Sequence, residues 1–258
     1  MTIERFSIPV ETRAPTGATN AYLVFGDGTT TVLVDPAAET EAITDRLRDQ
    51  PPDHIVVTHT HADHVGAVRT YAGMFDATVW GLAGRTDRFT AAVGRPPDRL
   101  FRPGETIGPM TVLVTPGHAP DHICLLVDTD AIVGDLAVAT GSVFVGPDDG
   151  DMRAYLTSLR RLHARDLDRL YPGHGSVIAD SRATLTRLIA HRLDRERRIV
   201  DAVAGGAETP ADIVTVAYEK DLTDVRDLAV RTVRAHLEKL AVEGTISWDG
   251  DRAVLRRS

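Results

Sequence analysis

The run Thr58-His59-Thr60-His61-Ala62-Asp63-His64 puts four metal-ligand side chains within six residues, too many to be absorbed as ordinary core. On an extended backbone His59 and His61 project to the same side, whereas Asp63 and His64 turn the chain toward a second centre. One short segment can therefore feed two adjacent cations, the arrangement of a two-metal hydrolase.

Further donors follow strand-like segments: His118 in Thr115-Pro116-Gly117-His118, Asp135 in Val133-Gly134-Asp135, and His174 in Tyr171-Pro172-Gly173-His174-Gly175. Each has a glycine beside it, as expected where a loop carries a side chain to a shared centre. Lone histidines are ordinarily surface or core residues, and His54, His163, His191 and His236 are read that way. The only cysteine, Cys124, sits in the apolar run Ile123-Cys124-Leu125-Leu126-Val127, which excludes a disulfide framework and a thiolate zinc site.

Strand-like segments at 21–25, 31–34 and 55–57 surround a helical stretch near 39–48, with a turn expected at Gly26-Asp27-Gly28. A helix to about residue 72, a strand at 77–80 and an arginine-bearing helix near 85–92 follow. A second strand series at 111–114, 122–127 and 131–133 is completed by a helix at 151–164 and a strand at 169–171. Two sheets with helices outside fit this order better than one parallel sheet. From residue 181 the texture is helical; Thr209 caps a helix that starts at Pro210, another helix spans about 228–242, and 245–255 reads as a hairpin. Helix, helix, hairpin is winged-helix-like. The expected division is a catalytic domain 1–205, which includes a long connecting helix, and a C-terminal domain 206–258.

The HxHxDH run with its separate His, Asp and His resembles the metallo-β-lactamase superfamily over residues 5–180. The resemblance implies an α/β (α+β) fold, an αββα sandwich with metals at one edge between the sheets. It implies His59, His61 and His118 for a first metal, Asp63, His64 and His174 for a second, and Asp135 bridging both. Asp63 is the expected catalytic group, orienting the nucleophilic water and passing its proton to the leaving group. Imidazole and carboxylate donors suit two Zn2+, with Mn2+ or Fe2+ as other divalent choices, and leave positions for water and substrate.

Four further residues are candidates around that set. His122 either contacts substrate or packs at a strand start, and Asn20 resembles a family position near the site. Asp35, ending the strand at 31–34, either hydrogen-bonds a ligand histidine or caps the following turn. Arg88 is a candidate substrate contact in segment 85–102, which is +3 overall with five arginines against Asp87 and Asp98.

The segments Gly141-Ser142-Val143, Asp148-Asp149-Gly150-Asp151-Met152 and His191-Arg192, with the winged-helix-like end, resemble the lactamase-β-2-like subgroup. That resemblance implies phosphodiester cleavage in single-stranded RNA. Alternatives are a thioester or ester hydrolase of the glyoxalase II kind, a β-lactamase, and a non-catalytic metal-binding regulator that contacts DNA. Net charge −8 argues against broad binding to nucleic acid or anionic membrane. Residues 206–258 carry 8 basic and 10 acidic residues, so duplex DNA is not the expected partner despite Arg231, Arg234 and Lys239 on one helix. The C-terminal module is expected to wall the active-site cleft or to form a homodimer surface. No apolar stretch approaches the ~18 residues of a membrane span, and the first residues lack a signal peptide's pattern, which makes the cytoplasm the expected location.

Overall fold

The computed structural model describes every residue except 13, 15, 27–29, 220, 221, 224, 257 and 258, so the turn expected at Gly26-Asp27-Gly28 lies largely outside the described residues. By contacts the chain divides into two compact units. The first is Met1–Thr115, Asp121–Gly141 and Asp166–Thr184; the second is Pro116–Pro120, Ser142–Arg165 and Leu185–Ser258. This division is not contiguous in sequence, unlike the expected cut at 205/206.

The first unit holds two sheets. One runs in chain order through β1 (Thr2–Pro9), β2 (Ala18–Phe25), β3 (Thr31–Val34), β4 (His54–Val56), β5 (Thr78–Leu82) and β6 (Arg99–Phe101). Its first three strands pair antiparallel, and from β3 onward the pairing is parallel. Helices α1 (Glu41–Asp49), α2 (Ala62–Val65), α3 (Val68–Phe75) and α4 (Thr86–Val93) connect the parallel strands. The other sheet has the order β11 (Arg169–Pro172), β10 (Asp130–Gly134), β9 (Ile123–Val127), β8 (Met110–Val114), β7 (Thr106–Ile107), with β10 and β11 parallel.

Alternation along the strands explains two separate cores. Leu23, Leu33 and Ile55 face Ile43, Leu47, Val68 and Tyr71 of the helices. Their neighbours Tyr22, Val24, Val32, Val34 and Val56 face Val112, Ile123, Leu125 and Ile132 of the second sheet. With both faces buried, β2, β3 and β4 read as continuous apolar runs. Thr40 caps α1 by accepting from Ile43 N, and the helix buries Ile43 and Leu47 at i and i+4. Strands β1, β6 and β7 were not expected. In β1 only Ile8 of eight residues is buried, so an edge strand of this kind carries no apolar period to read.

The second unit contains α5 (Met152–His163), most of α6 (Ser181–Ala204), α7 (Pro210–Ala217), α8 (Arg226–Val242) and the hairpin of β12 (Ile246–Trp248) and β13 (Ala253–Leu255). Asp151 caps α5, and Thr209 with Pro210 starts α7. Ile199, Ile213, Val233, Leu237, Leu240 and Ile246 form its core, the helix-helix-hairpin arrangement of a winged helix. Among the described residues, no helix is long and apolar enough to cross a membrane.

Candidate metal centre

The site begins where parallel strands stop. β4 continues into the histidine run, whose backbone stays extended at His61 (φ −67°, ψ 147°) before α2 begins at Ala62. This switch from extended to helical backbone separates His59 and His61 from Asp63 and His64. His59 Nε2 and His61 Nδ1 lie 3.0 Å apart.

Hydrogen bonds fix which nitrogen of each ring is the donor. Thr58 Oγ1 donates to Asp35 Oδ2 (2.7 Å), so it accepts from His59 Nδ1 (3.1 Å) and leaves Nε2 as the lone-pair atom. His64 Nδ1 donates to the same Asp35 oxygen at 3.0 Å, while Thr58 N donates to Asp35 Oδ1 at 2.6 Å. Asp35 is wholly buried and adopts a left-handed backbone (φ 50°), held by these three donors. His174 Nδ1 donates to Ala18 O at 2.8 Å.

The lone-pair atoms converge on carboxylates. Asp135 places Oδ1 3.7 Å from His64 Nε2 and Oδ2 3.4 Å from His174 Nε2, while Asp63 Oδ2 is 3.6 Å from the latter. Two overlapping groups result, His59 with His64 and Asp135, and Asp63 with His64 and His174; within each, donor atoms lie within 4.8 Å of one another. Burial favours a neutral His64, but the charge and hydrogen bond of Asp35, with Asp135 and Asp63 beyond, raise its pKa to about 9. Burial opposes protonation of His174 as well, and Asp135 again drives its pKa upward. Carboxylates that pull neighbouring imidazoles toward protonation mark a place that attracts positive charge. His64 Nε2 is moreover buried without a hydrogen bond. A pair of divalent cations fits this donor set.

His118 belongs by its contacts to the second unit. There its Nδ1 donates to Phe144 O at 2.9 Å, which makes Nε2 the lone-pair nitrogen, as in His59, His64 and His174. The loop is seated tightly on α5: Gly117 has φ +138°, and a Cβ there would lie 2.2 Å from Tyr155 N.

The other three candidates, His122, Asn20 and Arg88, hold protein groups near the histidine run. His122 is fully buried; Asp135 N donates to its Nε2 at 3.1 Å, so Nδ1 is the protonated nitrogen and bonds Thr115 Oγ1 at 2.9 Å. It therefore supports the backbone of Asp135 rather than facing a ligand. Asn20, 2% exposed, donates from Nδ2 to Pro172 O and Gly175 O, both at 2.9 Å, and so clamps the His174 loop. Arg88 Nε donates to Thr60 Oγ1 (2.9 Å) and Asp121 Oδ1 (3.0 Å), neutralising a buried carboxylate. Thr58, Thr115, Tyr22 and Asp121 are supporting residues that sequence reasoning missed. Only the adjacency of Thr58 and Asp121 to His59 and His122 gave a signal.

Known proteins resemble the chain over most of its length. The beta-lactamase associated winged helix domain matches residues 209–253. A protein named beta-lactamase-like protein 2 homolog, from Drosophila melanogaster, is 29% identical over 250 residues, covering 88% of this chain and 84% of that protein. An atrochrysone carboxyl ACP thioesterase from Aspergillus terreus is 27% identical over 264 residues, covering 92% and 79%. The crystal structure of a metallo-beta-lactamase family protein from Thermus thermophilus superposes with a TM-score of 0.78 at 24% identity over 98% of both chains. The metallo-beta-lactamase superfamily profile itself matches residues 14–174, more than half of the chain, and the protein is a hydrolase of that superfamily.

Proposed function

We propose that this hydrolase cleaves a small carboxylic thioester at a dinuclear centre. His59, His61 and His118 would hold one divalent cation, Asp63, His64 and His174 the other, and Asp135 both; zinc suits the donors, and manganese or iron is compatible. Two such cations would polarise the scissile carbonyl and make water acidic enough to attack at neutral pH. Asp63 takes the proton as the water oxygen bonds to the carbonyl carbon. It returns that proton to sulfur as the C–S bond breaks, releasing acid and thiol. Asp35 keeps the imidazole of His64 in the tautomer that presents Nε2.

The observation that favours a thioester over RNA is the state of three of the five arginines in segment 85–102. Arg88 is committed to buried Asp121, Arg95 to Asp98 at 2.5 Å, and Arg99 lies 5.6 Å over the Trp80 ring. Withdrawing Arg88 toward a phosphate would strand the Asp121 carboxylate. The thioesterase named above points the same way. A second reading, cleavage of single-stranded RNA, rests on the resemblance of the sequence to the lactamase-β-2-like subgroup.

The test is a substrate panel with metal-analysed protein: S-lactoylglutathione, single-stranded RNA, bis-p-nitrophenyl phosphate and nitrocefin, with His61→Ala as control. Thioester turnover that disappears in the control supports the proposal. Turnover confined to RNA replaces it by the second reading.

A further inference from the structure

We infer that the C-terminal unit sets the orientation of His118, with Arg192 and Arg231 as positioning residues acting through the loop 142–150. The inference rests on reading His118 as a ligand of the first metal.

The carbonyl that fixes the His118 ring, Phe144 O, lies in a segment without helix or strand. That oxygen belongs to no helix or strand ladder, so its position depends on the contacts that grip the loop. Two arginines from different helices do so. Arg192 of α6 is 3% exposed, donates from Nη2 to Val143 O, the carbonyl next to that of Phe144, and places its guanidinium 5.4 Å from the Tyr155 ring centre. Arg231 of α8 lies 4.9 Å over the Phe144 ring and donates from Nη2 (2.6 Å) and Nε (3.0 Å) to Asp148 Oδ2. The far end of the loop returns to the histidine: Asp151 N donates to Gly117 O at 2.8 Å, and Ser158 Oγ to Pro116 O at 2.8 Å.

Each contact alone is ordinary. The Arg231–Asp148 pair is 40% and 69% exposed, and pairs of that kind add little to stability. Their shared target distinguishes them, because both arginines grip the loop whose Phe144 carbonyl holds His118. Two of the three basic residues noted on α8 are correspondingly engaged inside the unit: Arg231 on this loop, and Lys239 on Glu196 (2.8 Å) and Glu243 (2.6 Å). On this inference the winged helix is a support for a metal ligand, and cutting it away removes His118 from its working orientation.

The test measures metal stoichiometry and the affinity of each of the two centres by chelator competition. It uses full-length wild type, His118→Ala, Arg192→Met, Arg231→Met and Arg231→Lys, with thermal melting alongside. His118→Ala retaining only one equivalent establishes that the residue is a ligand; retention of two overturns that reading itself. Given one lost equivalent, Arg231→Met is expected to weaken the same centre by about fivefold and leave the other unchanged, with partial recovery in Arg231→Lys. Arg192→Met, which empties a buried site, is expected to cost about 10–100-fold at that centre. Because burial puts folding of Arg192→Met at risk, the surface variant Arg231→Met carries the decision. Unchanged affinity in Arg231→Met, or equal weakening of both centres, overturns the inference.

Discussion

The two glycine-histidine loops, at Gly173-His174 and Gly117-His118, orient their rings alike and are supported differently. Each histidine donates Nδ1 to a backbone carbonyl, Ala18 O for His174 and Phe144 O for His118. Ala18 O belongs to β2 at the start of a hydrogen-bonded ladder, and the His174 loop is gripped by Asn20 N on Gly173 O (2.7 Å), Asn20 Nδ2 on two carbonyls and Tyr22 Oη on Pro172 O (2.6 Å). Burial raises the Tyr22 pKa, so its phenol stays a donor. Phe144 O lies outside any helix or strand, in a loop gripped by Arg192 and Arg231. A histidine anchored on a sheet shares the rigidity of the core; a histidine anchored through arginines takes its position from whatever moves those helices.

The sharpest way to break the sheet-held loop is Gly173→Ala. A Cβ there would lie 2.5 Å from Asp135 Oδ1 and 2.7 Å from His64 Cε1, so two donors must move. The expected result is loss of the metal bound by His64 and His174 and a fall in kcat/KM on the order of a thousandfold, about 4 kcal/mol. A variant with two metals and wild-type turnover would show that the loop yields as easily as its counterpart.

Acid should distinguish the units next. His236, fully buried in the second unit beside Glu196, Arg192 and Lys239, has its pKa lowered to about 4, chiefly by burial and against the attraction of the Glu196 carboxylate 3.5 Å away. The unfolded chain takes up this proton below about pH 6.5, whereas the folded one resists until about 4. Stability is therefore full above 6.5, falls as pH drops between those values, and levels off below, a loss of roughly 3 kcal/mol. Urea unfolding at pH 7 and 4.5 measures it; an identical pH slope in His236→Leu would remove His236 as the cause.

The smallest effect is expected from Asn20→Ala. Pro172 O keeps Tyr22 Oη, and Gly175 O keeps Arg5 Nη1 at 2.8 Å, so the loss is two hydrogen bonds, about 2 kcal/mol. Its metal effect should fall on the His174 centre alone, and chelator titration showing loss at the other centre would contradict the comparison.

Much of this molecule was legible in its residue order. The strand-like segments at 21–25, 31–34 and 55–57 match β2, β3 and β4, and Thr209-Pro210 marked the start of α7. The edge strand β1 was not legible, because a strand with one buried residue has no period. His122, Asn20 and Arg88 were recognised as belonging near the site, but their partners were not. Asn20 finds its acceptors 152 and 155 residues away, and no local pattern reports a pairing at that separation.

Sequence alone determined the superfamily and the winged-helix module and nominated the candidate donors, because those depend on side-chain chemistry and on spacings a few residues long. Tertiary structure decided which nitrogen each histidine presents, that Arg88 serves Asp121, and that His118 is grouped with the helices that follow it rather than with the sheets. Those outcomes depend on carbonyls and carboxylates brought together from distant parts of the chain, and such meetings exist only once the core has closed.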